Sequence, residues 1–309
     1  MTLEQELANL VPPKETVLTI GVFDGVHEGH RYLIEKLIHR AQERDLLSGV
    51  VTFHPHPQSV LDPNNQLPYL MSLDARVKEI RQLGIDLIAL LSFTPEVAKL
   101  SARQFVTLLK KYLKMRGLVI GADFALGRGR KGNAEKLATL GKKMGFFVDT
   151  VPPLTIDDET ASSTLVRQTL AQGNMEKVRK LMGHPFSISA KVITGNKRGH
   201  ALEFPTANLD ISSQQALPGN GVYASIAYAD GKQFTSATNI GIRPTFGQGE
   251  KTVETYLIDY HGELYGRDME VEFRHKIRDE QQFASPQELK SQIEKDVEKA
   301  RIILNKETK

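Results

Sequence analysis

The sequence has 309 residues, of which 40% are hydrophobic and 25% charged, and its formal net charge is +3. This composition is typical of a globular protein with one large or two ordinary domains. The absence of cysteine excludes disulfides, thiolate metal sites and cysteine nucleophiles. The mild charge argues against a nucleic-acid partner, because a phosphate footprint normally needs a denser basic face.

The sequence shows neither a membrane-spanning segment nor a secretory signal. No apolar run approaches the roughly 20 residues that cross a bilayer. The first residues also lack the basic and apolar segments of a secretory signal. We therefore expect a cytoplasmic protein without a membrane partner.

Up to residue 184, short apolar runs alternate with helical patterns at 30–45, 72–83 and 101–115. The apolar runs are 17–23, 49–53, 85–93, 117–121 and 146–151. Strands separated by helices of this length predict right-handed βαβ units and a mostly parallel, doubly wound, Rossmann-like α/β domain. Ligands of such sheets lie beyond the carboxyl ends of the strands.

From about residue 185 the pattern changes to short alternating segments that are separated by Gly, Asn, Pro and Asp. These segments are 186–193, 221–229, 233–240, 252–259 and 269–275. They predict an antiparallel β-barrel or sandwich. A single amphipathic helix follows at 286–304, with Ser285 as its N-cap and Glu288 completing a capping box.

The boundary between the two patterns is expected at Gly183-His184-Pro185. Gly183 is suited to end a helix over 174–182, and Pro185 would prevent its continuation. The sequence thus predicts an α/β domain over 1–184 and a barrel domain with a flanking helix over 185–309.

The motif G-V-F-D-G-V-H-E-G-H at 21–30 follows an apolar strand and precedes a helical stretch. Its glycines allow a sharp turn and a close ligand approach, and His27 and His30 would share one face of the helix start. Free amides at a helix start favour phosphate. The alternative interpretation is a tight turn that carries two surface histidines.

Two further motifs belong to the same half. T-F-H-P-H-P places His54 and His56 after the second strand, and four histidines at adjacent strand ends also permit a zinc hydrolase, although no carboxylate has a matching ligand spacing. S-S-T-L-V-R at 162–167 opens another helix. Its hydroxyl residues are ordinary N-caps, while Arg167 has the charge and geometry to clamp a triphosphate.

The second half carries G-N-K-R-G-H-A-L-E-F-P-T-A-N at 195–208. The glycine-containing basic loop is either a hairpin turn or a phosphate loop that uses its backbone amides. Thr206 and Asn208 supply neutral oxygen ligands, which suit Mg²⁺ shared with nucleotide phosphates.

Four motifs of the first half resemble, in their order along the chain, the FMN adenylyltransferase module of bacterial FAD synthetases, which are H-x-G-H nucleotidyltransferases. They are the motif at 21–30, T-F-H-P-H-P, G-A-D-F-A-L-G at 121–127 and the motif at 162–167. P-T-A-N, N-I-G-I-R-P-T-F at 239–246, V-E-T-Y-L-I-D at 253–259 and I-R-D-E-Q-Q-F at 277–283 are similar to the riboflavin kinase module. The resemblance covers about residues 15–305. It implies a bifunctional enzyme that uses ATP and Mg²⁺ to convert riboflavin to FMN and then FMN to FAD.

The resemblance also implies roles for individual residues of the adenylyltransferase half. His27 and His30 would hold the ATP phosphates, with His30 favouring the transition state, and Asp24 and Gly29 would shape the pocket. The residues on the outgoing pyrophosphate are Ser163, Thr164 and Arg167, and those lining the flavin side are His56, Pro57, Asp123 and Phe124.

In the kinase half, the resemblance makes Glu254 the general base that takes the proton of the riboflavin 5′-hydroxyl. Position alone does not favour it over other acidic residues nearby. The implied ATP loop contains Gly195, Lys197 and Gly199, and the implied metal ligands are Thr206 and Asn208. The candidate flavin contacts are Asn239, Arg243 and Arg278, of which Asn239 and Arg243 could instead contact the nucleotide. Arg278 and Phe283 either flank the flavin or simply anchor the last helix.

Two departures from the family pattern bear on function. Leu126 stands where an aromatic residue is usual, and Glu203 stands where Gly usually precedes Phe-Pro-Thr-Ala-Asn. Glu203 adds bulk and negative charge near the expected triphosphate, so an adenylyltransferase with a weak kinase domain is the alternative, followed by a non-enzymatic flavin-binding protein. The sequence leaves the oligomeric state open, a homo-oligomer included.

Overall fold

The computed structural model describes residues 1–64, 66–195, 203–243 and 250–307, with the backbone alone at positions 243 and 250. The described chain divides into two compact units, Met1–Ser163 and Thr164–Lys309. Each unit has its own core. The predicted boundary after residue 184 stays a prediction.

The first unit is built on a sheet of five parallel strands within the described ranges: β1 (Thr16–Ile20), β2 (Leu47–His54), β3 (Leu87–Ser92), β4 (Met115–Gly121) and β7 (Phe147–Val151). Their order is β3-β2-β1-β4-β7. The chain therefore reverses direction across the sheet between β1 and β4, and this is the position where doubly wound sheets bind ligands. The predicted doubly wound α/β domain is confirmed.

The helices of this unit are α1 (Leu3–Ala8), α2 (Glu28–Glu43), α3 (Pro57–Leu61), α4 (Leu73–Gln82), α5 (Pro95–Lys99), α6 (Ala102–Tyr112) and α7 (Ala134–Met144). Two short hairpins complete it, β5 (Ala125–Leu126) with β6 (Gly132–Asn133) and β8 (Thr155–Ile156) with β9 (Glu159–Thr160). Two hydrophobic clusters contain the core side chains of the sheet. All five residues of β1 are buried, as expected for a central parallel strand.

The second unit contains a closed antiparallel barrel with, in the part of the chain described, the strand order β10-β11-β14-β13-β12-β15. The strands are β10 (Phe186–Ile193), β11 (Ala207–Leu209), β12 (Gly221–Ala229), β13 (Lys232–Arg243), β14 (Glu250–Leu257) and β15 (Asp268–Arg278). Rings of Phe186, Tyr223 and Phe273 pack together in its interior. The barrel prediction is confirmed.

Three helices accompany the barrel within the described residues. Helix α8 (Ser163–Ala171) begins at the division between the units, and α9 (Met175–Met182) packs on β10 and β15. Gly183 ends α9 in the left-handed conformation, with φ +76°, as predicted. Helix α10 (Pro286–Glu307) places Ala300 and Leu304 against the outer face of β12 and β13.

The start of α10 differs slightly from the predicted capping box. Ser285 Oγ accepts the Glu288 N–H at 3.2 Å, as expected for the N-cap. The Glu288 carboxylate reaches back to the amide of Ala284 at 3.1 Å, one residue before the cap. The helix start is therefore stabilised by both side chains, as the sequence indicated.

Candidate active sites

The loop between β1 and α2 has a strained backbone that burial holds in place. Phe23 and Val26 have φ values of +57° and +36°, in the left-handed region that side chains other than glycine rarely adopt. Both side chains are buried in the hydrophobic cluster on one face of the sheet. Such strain persists where surrounding packing over-determines the backbone, and it is concentrated at functional sites.

Asp24 lies between these two residues and is buried. Its two carboxylate oxygens accept the Leu70 N–H at 3.1 and 3.0 Å. Its backbone carbonyl accepts the Ser163 hydroxyl at 2.9 Å. Asp24 thereby joins the first motif to the segment before α4 and to the start of the S-S-T motif.

His27 and His30 stack on each other at the start of α2, with ring centroids 3.7 Å apart and planes inclined by 23°. His27 occupies the N-cap position, but its side chain does not cap the helix. The Phe23 ring lies 5.1 Å from that of His30. Burial, followed by the proximity of His27 and Arg76, lowers the pKa of His30 well below its ordinary value of 6.5. His30 is therefore uncharged at neutral pH.

Gly29 explains how the motif at 162–167 meets this helix start. A Cβ atom at position 29 would lie 2.8 Å from the Ala161 carbonyl oxygen and 3.1 Å from the His27 ring. A side chain there would push away the segment that leads into Ser163. The two motifs that the sequence analysis assigned to phosphate binding are thus in contact through Gly29, Asp24 and Ser163. Thr164 and Arg167 follow on α8, in the second unit.

The second histidine motif lies at the end of β2, the neighbour of β1. His56 is the N-cap of α3, and its Nδ1 accepts the Gln58 N–H at 3.1 Å. The His56 N–H donates to the Tyr69 hydroxyl at 2.9 Å. Pro57 opens α3, whereas His54 is exposed. Burial and the charge of Arg76 lower the pKa of His54.

Asp123 and Phe124 follow β4, on the other side of β1. Asp123 is exposed, and its carbonyl accepts the Arg130 guanidinium at 3.2 Å. Phe124 is half-buried and packs, together with Leu126, against the cluster beneath the sheet. All the predicted residues of this half up to Ser163 therefore follow the carboxyl ends of β1, β2 and β4 or approach them, as the fold requires.

In the barrel, three predicted residues form one row across adjacent strands. Asn208 on β11 pairs with Glu254 on β14, and Glu254 pairs in turn with Asn239 on β13. Directly opposed residues on neighbouring strands point to the same face. Glu254 is half-buried here, whereas the adjacent Thr255 faces the barrel interior and is buried. The row therefore lies on the outer face of the barrel.

Gly195 packs directly against the Asn208 side chain. A Cβ at position 195 would lie 2.3–2.6 Å from the three terminal atoms of that amide. Both residues, with Thr206, line a cavity of about 460 Å³ that is also lined by the segment 260–265. The structure thus gathers the predicted metal ligands and one loop glycine at a single cavity. Lys197, Gly199 and the Arg243 side chain lie outside the described residues.

Arg278 makes close contacts with the last helix. Its Nε and Nη2 donate to the buried carboxylate of Asp296 on α10 at 2.9 and 2.8 Å. Its guanidinium also lies 5.7 Å from the Phe283 ring centre. The sequence analysis gave two alternatives for Arg278 and Phe283, which either flank the flavin or anchor the last helix. The ion pair between Arg278 and Asp296 is the contact that anchoring requires.

Glu203 adopts φ +69°, a conformation that glycine takes without strain. This explains physically why a glycine suits the position. The Glu203 carboxylate is 79% exposed and accepts from Lys290 Nζ on α10 at 2.6 Å. This ion pair lowers the pKa of Glu203. The carboxylate is therefore already neutralised by a cation.

Several residues of these sites were not identified from the sequence. Arg76 on α4 is 2% exposed and donates to the carbonyls of Val22 and Phe53 at 3.0 Å each. Leu70 contributes only its amide, and Asp296 occupies a helix position expected to be apolar. A charged residue on the apolar stripe of a helix was the one usable clue. Among the described residues, no group of three or more His, Cys, Asp or Glu side chains could hold a metal.

Comparison with known proteins now assigns both units. Residues 11–165 match the family described as FAD synthetase, and residues 182–304 match the family described as riboflavin kinase. Within the part of the chain described, no helix has the length and apolar character needed to cross a membrane.

Curated relatives named bifunctional riboflavin kinase/FMN adenylyltransferase match nearly the full length. The relative from Escherichia coli (strain K12) is 37% identical over 300 residues, which is 96% of each chain. Those from Pseudomonas fluorescens and Bacillus subtilis (strain 168) are 36% and 35% identical, covering 98% and 93% of this chain. A crystal structure described as a macrolide-efflux protein from Streptococcus pneumoniae superposes with a TM-score of 0.87 at 28% identity, covering 96% of each chain.

A doubly wound sheet with an H-x-G-H loop, followed by a barrel of the riboflavin kinase type, defines a two-domain transferase of flavin cofactor synthesis. The chain belongs to the bifunctional riboflavin kinase/FMN adenylyltransferase family. It is an enzyme with both a kinase and an adenylyltransferase domain.

Proposed function

We propose that this chain phosphorylates riboflavin in its barrel and adenylylates the resulting FMN in its α/β unit, using ATP in both steps. The observation that best supports the proposal is the juxtaposition of Asn208 and Glu254 in one half and of Asp24, Gly29 and His30 in the other. Family membership supplies the substrates. We further propose a cytoplasmic location, where ATP is available to both halves.

Adenylyl transfer requires alignment rather than a base. The FMN phosphate is already an anion, so its oxygen attacks the α-phosphorus of ATP as the bond to pyrophosphate breaks. His30, uncharged before ATP binds, donates a hydrogen bond to phosphate oxygens and gains charge stabilisation as negative charge develops. Asp24 holds the strained loop through Leu70, and Gly29 lets the segment before Ser163 approach the helix start, where backbone amides favour phosphate.

The remaining assignments of this half rest on the resemblance. Ser163, Thr164 and Arg167 are the proposed contacts of the departing pyrophosphate. His56, Pro57, Asp123 and Phe124 are the proposed flavin side of the site. The flavin-side residues follow β2 and β4, the two strands that flank β1, so they lie next to the H-x-G-H loop that follows β1.

Phosphorylation of riboflavin does require a base. The 5′-hydroxyl is neutral, and its proton must leave as oxygen bonds to the γ-phosphorus and ADP departs. Glu254 is the proposed acceptor of this proton, and its support is that it lies directly opposite Asn208 on β11 and Asn239 on β13. The Asn239, Arg243 and Arg278 contacts to flavin remain proposals.

The cavity beside Thr206 and Asn208 is the proposed nucleotide site of the kinase. Hydroxyl and amide oxygens with one nearby carboxylate are donors that Mg²⁺ accepts. A magnesium ion held there by Thr206 and Asn208 would neutralise charge on the nucleotide phosphates. The fit is supported by Gly195, because a side chain at that position would collide with the Asn208 amide.

A two-substrate assay tests the function. Purified protein is incubated with ATP, Mg²⁺ and either riboflavin or FMN, and the flavins are separated chromatographically. We expect FMN and FAD from riboflavin, and FAD from FMN. Failure to form FAD from FMN would refute the adenylyltransferase assignment. If the protein forms FAD from FMN but no FMN from riboflavin, it is an adenylyltransferase with a weak kinase domain. The neutralised position of Glu203 disfavours that second candidate.

A further inference from the structure

Arg76 is a fully buried cation beneath the adenylyltransferase loop. It is the largest of the side chains that the first unit encloses almost completely, with 2% of its surface exposed. Its guanidinium Nη1 donates to the Val22 carbonyl and its Nη2 to the Phe53 carbonyl, each at 3.0 Å. Burying a charge is costly unless its hydrogen bonds and electrostatic partners compensate for lost water.

The two carbonyls belong to the two strand ends on which the site is built. Val22 lies just beyond β1 and precedes the strained residue Phe23 and the buried Asp24, while Phe53 is the penultimate residue of β2. The Thr52 hydroxyl donates to the same Val22 carbonyl at 3.0 Å. One planar guanidinium therefore ties the H-x-G-H loop to the strand that leads into the second histidine motif. A lysine has a single nitrogen and lacks this planar fork.

We propose that Arg76 is a positioning residue for adenylyl transfer, which locks the ends of β1 and β2 so that Asp24 and His30 meet the nucleotide phosphates in one arrangement. The proposal rests on the function proposed above for His30. Arg76 itself stays below the loop and acts through it. Because the guanidinium forms a bridge between two strands, its geometry matters as well as its charge.

The charges around Arg76 support this placement. Burial lowers the pKa of Arg76, and the neighbouring Asp24 and Tyr69 oppose that decrease. Arg76 in turn lowers the pKa of His30, after burial and His27. Arg76 therefore helps to keep His30 uncharged until phosphate arrives, in addition to holding the loop.

The experiment compares Arg76→Lys and Arg76→Met with Arg81→Met. Arg81 lies on the same helix, is exposed, and controls for the loss of a cation. Each full-length variant is assayed for FAD formation from FMN and for FMN formation from riboflavin. The pKa of the His30 ring is followed by NMR titration, with His30→Ala identifying its signal.

We expect Arg76→Lys to lower kcat for FAD formation about 100-fold, the loss typical of a misalignment near 1 Å. The KM for FMN in this reaction should stay unchanged, and so should the rate of riboflavin phosphorylation. In Arg76→Met the pKa of His30 should rise, because a nearby cation is removed, and Arg81→Met should resemble the unmodified protein in all three measurements.

Each outcome discriminates. Unchanged kcat in Arg76→Lys would overturn the proposal, and this variant decides the question if Arg76→Met does not fold. A purely structural role would lower the folded fraction without lowering kcat for FAD formation per folded molecule. If His30→Ala still makes FAD at the normal rate, the assignment of His30 itself fails, whatever the Arg76 variants do.

Discussion

Asn208 and Glu254 stand directly opposite each other on β11 and β14, one strand apart on the outer face of the barrel. This register brings a neutral side-chain amide next to a carboxylate, although the two residues are separated by a long stretch of sequence. A proton acceptor adjacent to a metal and nucleotide site is the arrangement that phosphorylation of an alcohol requires.

Glu254→Gln tests this relationship. The amide keeps the size of the side chain but cannot accept the riboflavin proton, so we expect FMN formation to fall by about 10²–10⁴-fold. FAD formation from added FMN should be unaffected, because that reaction takes place in the α/β unit. Chromatographic separation of flavins measures both rates. Glu270→Gln, an exposed change on β15 of the same barrel, is the control, and equal losses in both variants would contradict the assignment.

His30→Ala should have the reverse effect. Loss of a hydrogen-bond donor to the transferring phosphate is expected to reduce FAD formation from FMN by about 10²–10³-fold. Riboflavin phosphorylation should continue at the normal rate. His39→Ala, on the exposed side of the same helix, keeps the helix but leaves the site untouched. Loss of both activities in a folded His30→Ala protein would mean that the two reactions do not have separate sites.

The low pKa of His30 predicts that ATP binding takes up a proton. In the free protein burial keeps this ring uncharged, with its pKa well below 6.5. The negative charge of a bound phosphate would raise that pKa. At a pH between the two values the complex binds up to about one more proton than the free protein. ATP affinity should therefore increase as the pH falls through this range.

Calorimetry checks this proton uptake. Binding of ATP to the protein is measured without flavin in two buffers of different ionisation enthalpy. All other conditions are the same in the two measurements. The difference in apparent enthalpy gives the number of protons taken up. It should disappear in His30→Ala and persist in His39→Ala, and an unchanged value in His30→Ala would assign the proton to another group.

Glu203 is expected to be tolerated rather than inhibitory. Its φ of +69° strains any residue with a Cβ, and its carboxylate pairs with Lys290 on α10. Glu203→Gly should therefore leave riboflavin phosphorylation unchanged, and it should melt roughly 3 °C above Glu203→Ala, since only alanine retains the strain. Both variants lose the ion pair, so their difference isolates the backbone. A large gain of kinase activity in both would instead show that the carboxylate repels the nucleotide.

The sequence predicted the elements well because their determinants are local. The apolar run at 117–121 is buried on both faces of a parallel sheet, and Gly183 ends its helix in a conformation that glycine favours. The order of motifs also placed His27, His30 and Ser163 at one end of the sheet. These features depend on periodicity and turn chemistry, which the chain displays residue by residue.

The supporting contacts were not predictable, because they depend on distant segments. Arg76 has the polar character of a solvent-exposed helical residue, and only the packing of α4 over β1 and β2 buries it. Asp296 lies among the apolar positions of α10, where its partner Arg278 comes from a strand. The side-chain direction of Glu203 likewise depends on where α10 presents Lys290. Such pairings are set by tertiary structure, and no spacing rule encodes them.

The Arg278–Asp296 pair can distinguish an anchor from a flavin contact. The Asp296 side chain is 4% exposed and the Arg278 side chain 14% exposed, so Asp296→Ala leaves a poorly solvated cation and should destabilise the barrel by about 3–5 kcal/mol. Urea denaturation measures this loss. Replacing both partners, as Arg278→Met with Asp296→Leu, should recover most of it, because no unpaired charge remains.

The kinetics of the same double variant separate the two roles of Arg278. If the guanidinium only holds α10 against β15, the stabilised double variant should phosphorylate riboflavin with an unchanged KM. If Arg278 also binds flavin, KM for riboflavin should rise about tenfold, the cost of one charged hydrogen bond, while stability is restored. The engaged geometry, with Nε and Nη2 both donating to Asp296, favours the first outcome. An elevated KM in the folded double variant would therefore assign Arg278 to the flavin site as well.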